Sequence, residues 1–549
     1  MPVVALYFSR LQKLIGKVSK KQISELLPFL GLDIESEDDQ RIRVEYSPNR
    51  PDYSTDFGIA IGLQGLFGIK TGAIKLKIKN SKNYSITVKP DVSKIRPFVT
   101  GIIAKNGKID EKILEQLIQM QEDLHMGIGR KRKKSSIGIH DLDKISFPLI
   151  YTTTNKNHKF IPLNSEKELT ISKIIADTET GKDYGHLLGQ SSQVPVIIDA
   201  NQKTVSFPPI INAAITTVTP KTKNLFVEVT GINKEDAEDM LSVVATILQS
   251  AGFTLEHIQI SGAKNSSPKL QEKKMLVDVS LINQTLGLNL NTSKIITSLK
   301  KSRLNAMSKG KNIICTIPVY RFDIFGPMDL VEEVALGYGI QNFEPTISPS
   351  QTIGQINPIS LQLKSLNQNM IGLGFLEALN SSLSSKRVLY DMTNRNPKKI
   401  ISVLDSKSQE HTILRDSILP GLIENLSRNI HESYPQKMFE TGGIFNLDNP
   451  ISEKTNLSAI SAHKDANFTE IKSVLQTALK IGFGIQIQTK TTVNSSFEDG
   501  HCANIIFNGN AIGIIGEIDS KIIENYKIRV PVVGFEISLS DSILKSLEN

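Results

Sequence analysis

Four acidic side chains between residues 323 and 333 have the spacing of a cation site. Asp329, Glu332 and Glu333 lie at positions i, i+3 and i+4, which places them near one face of a first helical turn. Asp323 precedes a Gly-Pro pair and can fold back toward them. Carboxylate oxygens suit a hard cation such as Mg²⁺. Acidic residues in a first turn also offset the helix dipole and cap the helix, so the spacing leaves a magnesium site and a simple helix start both open.

A strand and a helix must position these carboxylates. Residues 313–317 form a short, β-rich apolar run that predicts a strand, and Gly326-Pro327 ends it. Asp329 is expected to cap a helix, because apolar residues recur at helical spacing from 330 to 338. Gly339 fits the end of that helix.

A second set of polar residues lies in the middle of the chain. Successive short apolar runs between residues 194 and 230 predict strands, and alternation places Glu228 and Thr230 on one face of the last of them. A carboxylate and a hydroxyl that face one pocket can recognise a phenolic hydroxyl, and such a site rejects substrates that lack that group. The alternative is a polar, solvent-facing side of an antiparallel sheet.

Two further features bear on function. Residues 130–134 are five consecutive basic residues, which predict either a solvated loop or a contact with phosphates that weakens as salt is added. His140 and Asp141 are neighbours that can do acid–base chemistry, although one such pair is also compatible with a structural role.

Composition bounds the class of protein. The 549 residues predict three to five domains of ~100–200 residues each. A hydrophobic content of 39% and a charged content of 22% are typical of globular proteins, and the net charge of +8 permits a polyanionic partner without requiring one. Cys315 and Cys502 form neither a disulfide framework nor a zinc motif. With no bilayer-length apolar run and no signal-peptide pattern at the start, a cytoplasmic protein is expected, not a membrane protein.

The region around the four carboxylates resembles a known family. Pro318, Arg321 and Asp323 form the pattern Pro-x-x-Arg-x-Asp, and Asp-Leu-Val-Glu-Glu-Val and Gly-Tyr-Gly follow at 329–334 and 337–339. Together these motifs resemble the central domain of the β subunit of phenylalanyl-tRNA synthetases. That family places a magnesium site, shared with the α subunit, at the four matching acidic positions. The resemblance therefore implies Mg²⁺ ligands at Asp323, Asp329, Glu332 and Glu333.

Two earlier segments are similar to other parts of the same family. Gly-Leu-Asp-Ile-Glu at 31–35 and Pro-Asn-Arg-Pro-Asp at 48–52 are similar to its opening domain, although the second segment is also a typical self-bonded turn. Ser-Phe-Pro-Pro-Ile-Ile-Asn at 206–212 and Glu-Val-Thr-Gly at 228–231 look like its editing domain, which hydrolyses tyrosine wrongly attached to the phenylalanine tRNA. By resemblance, the candidate editing residues are Ser206, Asn212, Glu228 and Thr230.

An editing step has a physical reason in such an enzyme. A pocket shaped for phenylalanine cannot exclude one extra hydroxyl by more than about 10²-fold through binding alone. The family shows no short catalytic signature in this region. Water activated by backbone and substrate groups is therefore one expected route of hydrolysis, without a nucleophilic side chain.

The last 200 residues predict an α+β domain around an antiparallel sheet and resemble the catalytic-like domain of the β subunit, a relative of the class II synthetase core. Class II cores hold ATP with arginines of two motifs. Arg415 is present in Leu-Arg-Asp-Ser, but no glycine-rich arginine motif follows, and no phosphate-binding glycine loop occurs in the chain. The resemblance implies a core that no longer binds ATP and packs against an active partner.

The expected fold is a multidomain α+β chain. Its parts are an N-terminal domain at 1–90, an editing domain at 91–265, a helix-turn-helix-like central domain at 266–345 and a class II catalytic-like domain at 346–549. The sequence shows neither the inserted oligonucleotide-binding domain nor the C-terminal anticodon domain of the longer bacterial form, so it resembles the archaeal and eukaryotic type of the family. This resemblance implies an α2β2 tetramer that joins phenylalanine to its tRNA with ATP and Mg²⁺. The α subunit would bind ATP and phenylalanine, and this chain would supply assembly, tRNA contacts and editing.

Two other classes of function remain open at this stage. One is a stand-alone hydrolase of misacylated tRNA, which would act without a partner chain. The other is a non-catalytic RNA-binding scaffold that uses the basic run at 130–134.

Overall fold

The computed structural model describes residues 2–263, 265–268, 270–347, 353–397, 399–539 and 543–544. The chain divides into two compact units, Met1–Thr346 and Ile347–Asn549. Both units mix helices with sheets, which confirms the α+β, multidomain organisation. Among the helices of the described residues, none is long and apolar enough to span a lipid bilayer.

The N-terminal part of the first unit is a small antiparallel sheet covered by helices. Its strands, in the spatial order β1-β3-β2, are β1 Val3–Tyr7, β2 Asp33–Glu37 and β3 Arg41–Glu45. Its helices are α1 Phe8–Ile15, α2 Lys20–Leu26 and α3 Asp56–Leu66. Ile42 and Val44 alternate into the core, as the pattern predicts. The turn before α3 is self-bonded, because Arg50 pairs with Asp52 at 2.9 Å and covers the ring of Tyr53.

Two packed sheets form the middle of the first unit. The six-stranded sheet has the order β13-β12-β11-β8-β5-β16 and the five-stranded sheet the order β4-β15-β6-β14-β7. Their strands are β4 Ile78–Lys79, β5 Ser85–Val88, β6 Phe98–Lys105, β7 Ser135–Asp141, β8 Leu149–Asn155, β11 Gln193–Ile198, β12 Thr204–Phe207, β13 Ile211–Asn212, β14 Leu225–Gly231, β15 Thr254–His257 and β16 Gln259–Ser261. A two-stranded ribbon, β9 Lys159–Phe160 and β10 Leu169–Thr170, accompanies them. The helices are α4 Glu111–Met126, α5 Ile171–Asp177, α6 Glu179–Tyr184 and α7 Lys234–Ser250.

Strand β14 is the central element of this region, and all of its residues are buried. It pairs antiparallel with β6 on one side and with β7 on the other. Val227 and Val229 pack with helices α4 and α7, whereas Phe226 packs into the core shared with the six-stranded sheet. Because side chains alternate along a strand, Glu228 shares the face of Phe226 and therefore points between the two sheets.

The last part of the first unit carries the acidic motif. Its three-stranded sheet has the order β17-β19-β18, with β17 Lys273–Asp278, β18 Asn305–Lys309 and β19 Asn312–Ile317. Its helices are α8 Val279–Leu286, α9 Thr292–Lys301 and α10 Pro327–Tyr338. Helices α9 and α10 cross in close contact at Gly337, where an added Cβ would lie 2.0 Å from the carbonyl oxygen of Ser298.

The second unit is built on a seven-stranded sheet of order β20-β23-β24-β28-β27-β26-β25. The strands are β20 Leu376–Glu377, β23 Gln436–Asn446, β24 Ser452–Ala462, β25 Gln488–Thr491, β26 Phe497–Phe507, β27 Asn510–Ile518 and β28 Val532–Ser538, and β21 Leu383–Ser384 with β22 Ile413–Leu414 forms a separate ribbon. The helices are α11 Pro358–Gly372, α12 Leu419–Arg428, α13 Phe468–Phe483 and α14 Ser520–Asn525, with a π-helical turn at Arg387–Asp391. Only β20 pairs parallel with its neighbour within this sheet as described.

Two helix starts differ from the sequence expectation. Asp56 precedes apolar residues at helical spacing, a pattern that predicts a cap at Asp56, but Asp56 is the first helical residue of α3. The side chain of Thr55 caps the helix by accepting the N–H of Gly58. Asp56 is buried instead and pairs with Arg10 at 3.1 Å. Helix α10 begins at Pro327, so Asp329 acts from the third helical position and not as the N-cap residue. In both helices the acidic side chain therefore contacts groups other than the backbone N–H groups that an N-cap residue would bind.

The close crossing of α9 and α10 predicts a position-specific stability effect. Gly337→Ala is expected to destabilise the first unit by about 3 kcal/mol, because the new methyl group meets backbone that cannot move aside. Gly326→Ala, at the N-cap of the same helix with open space around it, is expected to cost at most about 1 kcal/mol. Scanning calorimetry of the full-length chain measures both, and equal shifts in the two variants would contradict this account of the crossing.

Candidate functional site

A cavity of about 370 Å³ opens where β7 and β13, the outermost strands of the two packed sheets, lie side by side. One wall is apolar and comes largely from α4 and β7, with Leu117 and Ile137 among its residues. The opposite wall is the segment that connects β12 to β13. Polar side chains gather at one end, so the cavity combines an apolar body with a polar end, as ligand sites usually do.

Three of the sequence-predicted residues meet at this polar end. Ser206, Asn212 and Glu228 all line the cavity. Ser206 and Asn212 are cross-strand partners on β12 and β13, and the Ser206 hydroxyl donates to Glu228 Oε1 at 2.9 Å. The same hydroxyl is 3.3 Å from Asn212 Oδ1. A hydroxyl has one proton, and the bond to a carboxylate is the stronger, so Asn212 Oδ1 keeps accepting capacity for another group.

His140 joins this group from the neighbouring strand. Its Nδ1 is 2.9 Å from Thr216 Oγ1, and that hydroxyl donates its proton to the carbonyl of Ala213. Nδ1 must therefore be the donor in the bond to Thr216, which fixes the tautomer of the neutral ring. Nε2 of His140 lies 3.9 Å from Glu228 Oε1. Within the described residues, Nε2 and Glu228 Oε2 are buried without any hydrogen-bond partner.

The space between these atoms depends on Gly138. Gly138 of β7 lies directly opposite Glu228 of β14. A Cβ at position 138 would lie 2.5 Å from His140 Nε2, 2.6 Å from Glu228 Oε1 and 3.0 Å from Asn212 Oδ1. Three polar atoms thus converge on a volume that stays open because residue 138 has no side chain. A water molecule or a polar group of a substrate can satisfy them there.

The structure does not bring Thr230 to the cavity, although the sequence placed it on the same strand face as Glu228. Its hydroxyl accepts from Arg96 Nε at 2.9 Å and lies 3.1 Å from the hydroxyl of Ser136. Arg96 also donates to the Thr230 carbonyl, and burial lowers the pKa of this arginine to about 10. Thr230 therefore helps to bind the buried guanidinium of Arg96, two residues along β14 from Glu228.

The basic run at 130–134 contributes one residue to the cavity wall. Arg130, Lys131 and Arg132 all have left-handed backbone, with φ of 48°, 53° and 61°. This turn directs Arg132 inward, where it donates to the Ile210 carbonyl at 2.9 Å and to Glu122 at 2.9 Å. Burial acts to raise the pKa of Glu122, but its contacts with His125 and Arg132 outweigh burial and lower that pKa to about 2. Arg132 is thus a structural anchor of the cavity and not a solvated charge.

Two of the four candidate magnesium ligands are held by an arginine. Arg321 is buried and donates to both oxygens of Asp323, at 2.9 Å from Nε and 2.8 Å from Nη2, and it also pairs with Glu333. Burial acts to raise the pKa of Asp323, but Arg321 and Arg50 together lower it below its ordinary value. Asp323 and Glu333 therefore share one buried arginine within the chain.

The other two acidic residues have different surroundings. Asp329 Oδ2 accepts the backbone N–H groups of Phe325 and Gly326 at 2.7 and 2.8 Å, so this carboxylate closes the start of α10. Glu332 is exposed, and burial together with the nearby charges of Glu333 and Asp329 raises its pKa.

The four carboxylates do not by themselves fit a magnesium site. Three of them already have hydrogen-bonded partners in Arg321 or the helix start. Across the part of the chain that the structure describes, no cluster of three or more His, Cys, Asp or Glu side chains could hold a metal ion. The sequence pattern could show the acidic residues and Arg321, but not that the arginine would fold between them.

The sequence pairs His140 with Asp141 and does not assign it to the candidate editing site. A usable signal was present in the strand register. Ser136, Gly138 and His140 alternate onto one face of β7, and β14 presents Thr230, Glu228 and Phe226 opposite them. A glycine between two polar residues, facing a buried carboxylate, indicates space kept for another group.

Comparisons with known proteins match nearly the whole chain. The B3/4 domain model matches residues 82–241, which include the cavity. The tRNA synthetase B5 domain model matches 275–340, and the model described as "Phenylalanyl tRNA synthetase beta chain CLM domain" matches 344–539. The phenylalanine–tRNA ligase beta subunit of Archaeoglobus fulgidus is 37% identical over 547 residues, covering 98% of each chain. The chain belongs to the phenylalanine–tRNA ligase β-subunit family.

Other members of this family also match the chain over nearly its full length. The β subunit of Methanococcus maripaludis strain DSM 14266 is 36% identical over 98% of this chain and 100% of its own, and that of Methanosarcina acetivorans is 34% identical over the full length of both. The crystal structure of an N-terminal fragment of the phenylalanyl-tRNA synthetase β subunit from Pyrococcus horikoshii superposes with a TM-score of 0.58 at 31% identity. It covers 62% of this chain and 100% of the fragment. The resemblance inferred from the motifs is confirmed.

The buried arginine of the B5 region predicts a large loss of stability. Arg321→Ala is expected to cost about 3–5 kcal/mol, because it leaves the buried carboxylates of Asp323 and Glu333 without their cation. Arg41→Ala is the matched control, since its pair with Asp38 is solvent-exposed and exposed ion pairs contribute little to stability. Scanning calorimetry of both full-length variants measures the difference. Similar losses of stability in the two variants would contradict the larger contribution that is expected of the buried pairs.

Proposed function

We propose that this chain is the β subunit of a phenylalanine–tRNA ligase that works with a separate α subunit. The α subunit binds ATP and phenylalanine and attaches the amino acid to the phenylalanine tRNA. The β subunit contributes assembly, tRNA contacts and hydrolytic editing, within an α2β2 tetramer in the cytoplasm. Full-length similarity to β subunits supports this role. The four domains that we propose remain 1–90, 91–265, 266–345 and 346–549.

The editing role rests chiefly on the polar end of the cavity in the B3/4 region. A tyrosyl ester has an apolar ring and a terminal phenol, which matches an apolar cavity with a polar end. A phenolic hydroxyl both donates and accepts hydrogen bonds. It can donate to Glu228 Oε2 or to His140 Nε2, and both atoms otherwise lack partners within the described residues.

This arrangement also explains why phenylalanyl esters would be spared. Phenylalanine has no hydroxyl, so its binding would leave the buried carboxylate and imidazole unpaired, and such a mismatch is strongly penalised. Ser206 holds Glu228 in place from the opposite sheet, and Asn212 lies beside the Ser206 hydroxyl. Thr230 has a supporting role in this proposal, through Arg96 and Ser136. Hydrolysis of the ester is left to water.

The structure does not favour the RNA-scaffold alternative. That alternative depends on the basic run at 130–134, and its central residue Arg132 is buried against Glu122 and the cavity wall. The stand-alone hydrolase alternative uses the same cavity as the proposed function. The two are distinguished by whether the chain needs a partner.

A partner surface is present in the second unit. Large apolar side chains are exposed in helix α11 and in the segment that follows it, including the edge strand β20. They are Leu361, Ile371, Leu376 and Leu379. Exposed large apolar groups are typical of a surface that another chain covers. In the same unit Arg415 is buried in a pair with Glu440, so it is not placed to hold a nucleotide. We propose that the α subunit covers the apolar surface.

Magnesium remains part of the proposal only in a site completed by the α subunit. In this chain Asp323, Asp329 and Glu333 have partners of their own, and Glu332 is the exposed member of the set. Partial burial and then the charges of Glu333 and Asp329 raise the pKa of Glu332. A cation near Glu332 would offset these neighbouring charges and would therefore be favoured. Ligands from the α subunit would have to supply the rest of the coordination sphere.

The editing proposal predicts a selective loss of hydrolysis. In the co-expressed αβ complex, Glu228→Gln is expected to slow hydrolysis of tyrosyl-tRNA by about 10²-fold or more, because the phenol loses its charged acceptor. Phenylalanylation and the melting midpoint serve as folding checks. Glu115→Gln, on the exposed side of α4, is the matched control.

The outcomes separate the candidate functions. Unchanged hydrolysis in Glu228→Gln would contradict the assignment of the polar end. Full hydrolysis by the β chain alone, with no phenylalanylation when α is added, would favour the stand-alone hydrolase.

The shared magnesium site predicts a metal-dependent stability of the complex. In the absence of ATP, Mg²⁺ is expected to raise the melting midpoint of the αβ complex, and Glu332→Gln is expected to remove most of that increase. Glu344→Gln, which alters an exposed carboxylate nearby, should retain it. An equal response to Mg²⁺ in the wild type and in both variants would contradict the shared site, and the four carboxylates would then have a structural role only.

A further inference from the structure

A second cavity, of about 440 Å³, lies within the second unit on the face of the seven-stranded sheet that α12 covers. It is formed by residues between 393 and 538, and the proposed editing reaction does not use it. Its volume falls in the range of small-molecule sites. The question is what its side chains would accept.

Two polar side chains at the centre of the sheet leave unused acceptors there. Asn456 of β24 and Ser538 of β28 are directly opposed, so both project from the same face. Asn456 Nδ2 donates to Glu536 Oε1 at 2.6 Å. A carboxylate only accepts hydrogen bonds, which fixes the orientation of the amide and makes Asn456 Oδ1 an acceptor.

These acceptors are buried without partners. Asn456 is 6% exposed, and within the described residues neither Asn456 Oδ1 nor Ser538 Oγ has a hydrogen-bond partner. Both residues line the cavity. An amide oxygen removed from water without a donor is unfavourable, so this position calls for a group that carries N–H or O–H.

The neighbouring Glu536 cannot meet this need. Its carboxylate accepts from the Ser417 hydroxyl at 2.6 Å and from the backbone N–H of Ile418 and Leu419, at the start of α12. With the Asn456 amide, these contacts satisfy both of its oxygens. Glu536 therefore fastens the helix to the sheet and fixes the polar row, but it has no donor to offer.

One part of the cavity wall is apolar, and the remaining lining is polar and includes Asn446, Lys454 and Asn494. Leu419 and Ile423 of α12, Ile444 of β23 and Phe497 of β26 line it and belong to one hydrophobic cluster. Arg395, at its rim, is held by Asp416 through two bonds of 3.0 Å. An occupant thus meets an apolar wall on one side and two hydrogen-bond acceptors on the other.

We propose that this cavity binds a small molecule with an apolar body and a nitrogen head group that donates hydrogen bonds, either an ammonium or a primary amide. The head group donates to Asn456 Oδ1 and Ser538 Oγ, and the apolar body packs against α12 and the Ile444 side of the sheet. The proposal stands apart from the proposed function, because it concerns neither the editing cavity nor the α subunit.

Three probes of nearly equal shape test the donor requirement on the full-length chain. Isopentylamine and isovaleramide present N–H donors, whereas isovalerate presents only acceptors. Isothermal titration calorimetry is expected to show saturable binding of the amine or the amide, with a Kd on the order of 1 mM for so small a probe. Isovalerate should bind about 10-fold more weakly or not at all, because its carboxylate has no proton to donate to Asn456 Oδ1 and can pair only with the Ser538 hydroxyl.

Variants locate the binding. Ser538→Ala removes one acceptor without disturbing a hydrogen bond and is expected to weaken binding about 3- to 10-fold. Asn456→Ala removes the other but also a donor to Glu536, so Ser538→Ala carries the test if that variant fails to fold. Ser520→Ala, an exposed serine outside the cavity, should bind like the wild type. The proposal would be overturned if no probe showed saturable binding, if isovalerate bound as well as the amine and the amide, or if Ser538→Ala bound like the wild type. Water would then be the partner of both acceptors.

Discussion

A carboxylate in the middle of a fully buried strand is the constraint on which the central region of this protein depends. Glu228 lies on β14, whose residues are buried throughout, and an ionised group in such a place is costly unless other groups bind it. The hydroxyl of Ser206 reaches it from the opposite sheet, and Gly138 leaves room beside it. One interaction therefore sets how the edges of two sheets meet and creates the cavity between them.

The B5 region solves the same problem in a different way. Arg321 binds Asp323 and Glu333, and the positive charge of Arg50, from the N-terminal segment, also lowers the pKa of Asp323. All of these charges are paired inside the chain, and what results is a rigid junction between distant segments. At Glu228, in contrast, one oxygen has no partner within the described residues. The completeness of the pairing separates a structural cluster from a site with capacity for a substrate.

Much of the fold follows from local patterns. Alternation located β3 and β14, helical spacing located α10, and the motif order showed the family. Partnerships between distant residues were not accessible in the same way. Thr230 shares a face with Glu228, yet Arg96, 134 positions away in the chain, takes its hydroxyl. The four acidic residues were spaced for a cation, but the cation that binds two of them is Arg321. Spacing along a helix shows which side chains can meet; it does not show which neighbour reaches them first.

The left-handed turn at Arg130, Lys131 and Arg132 affects how tRNA binding should be mapped on this protein. Five basic residues in a row invite a charge-removal scan, in which the residue with the greatest loss is taken as the main RNA contact. Arg132 would rank first in such a scan, because it ties helix α4 to the wall of the cavity through Glu122 and the Ile210 carbonyl. Its loss would disturb the cavity with no phosphate involved. The exposed neighbours Arg130, Lys131 and Lys133 are the residues whose replacement reports on RNA itself.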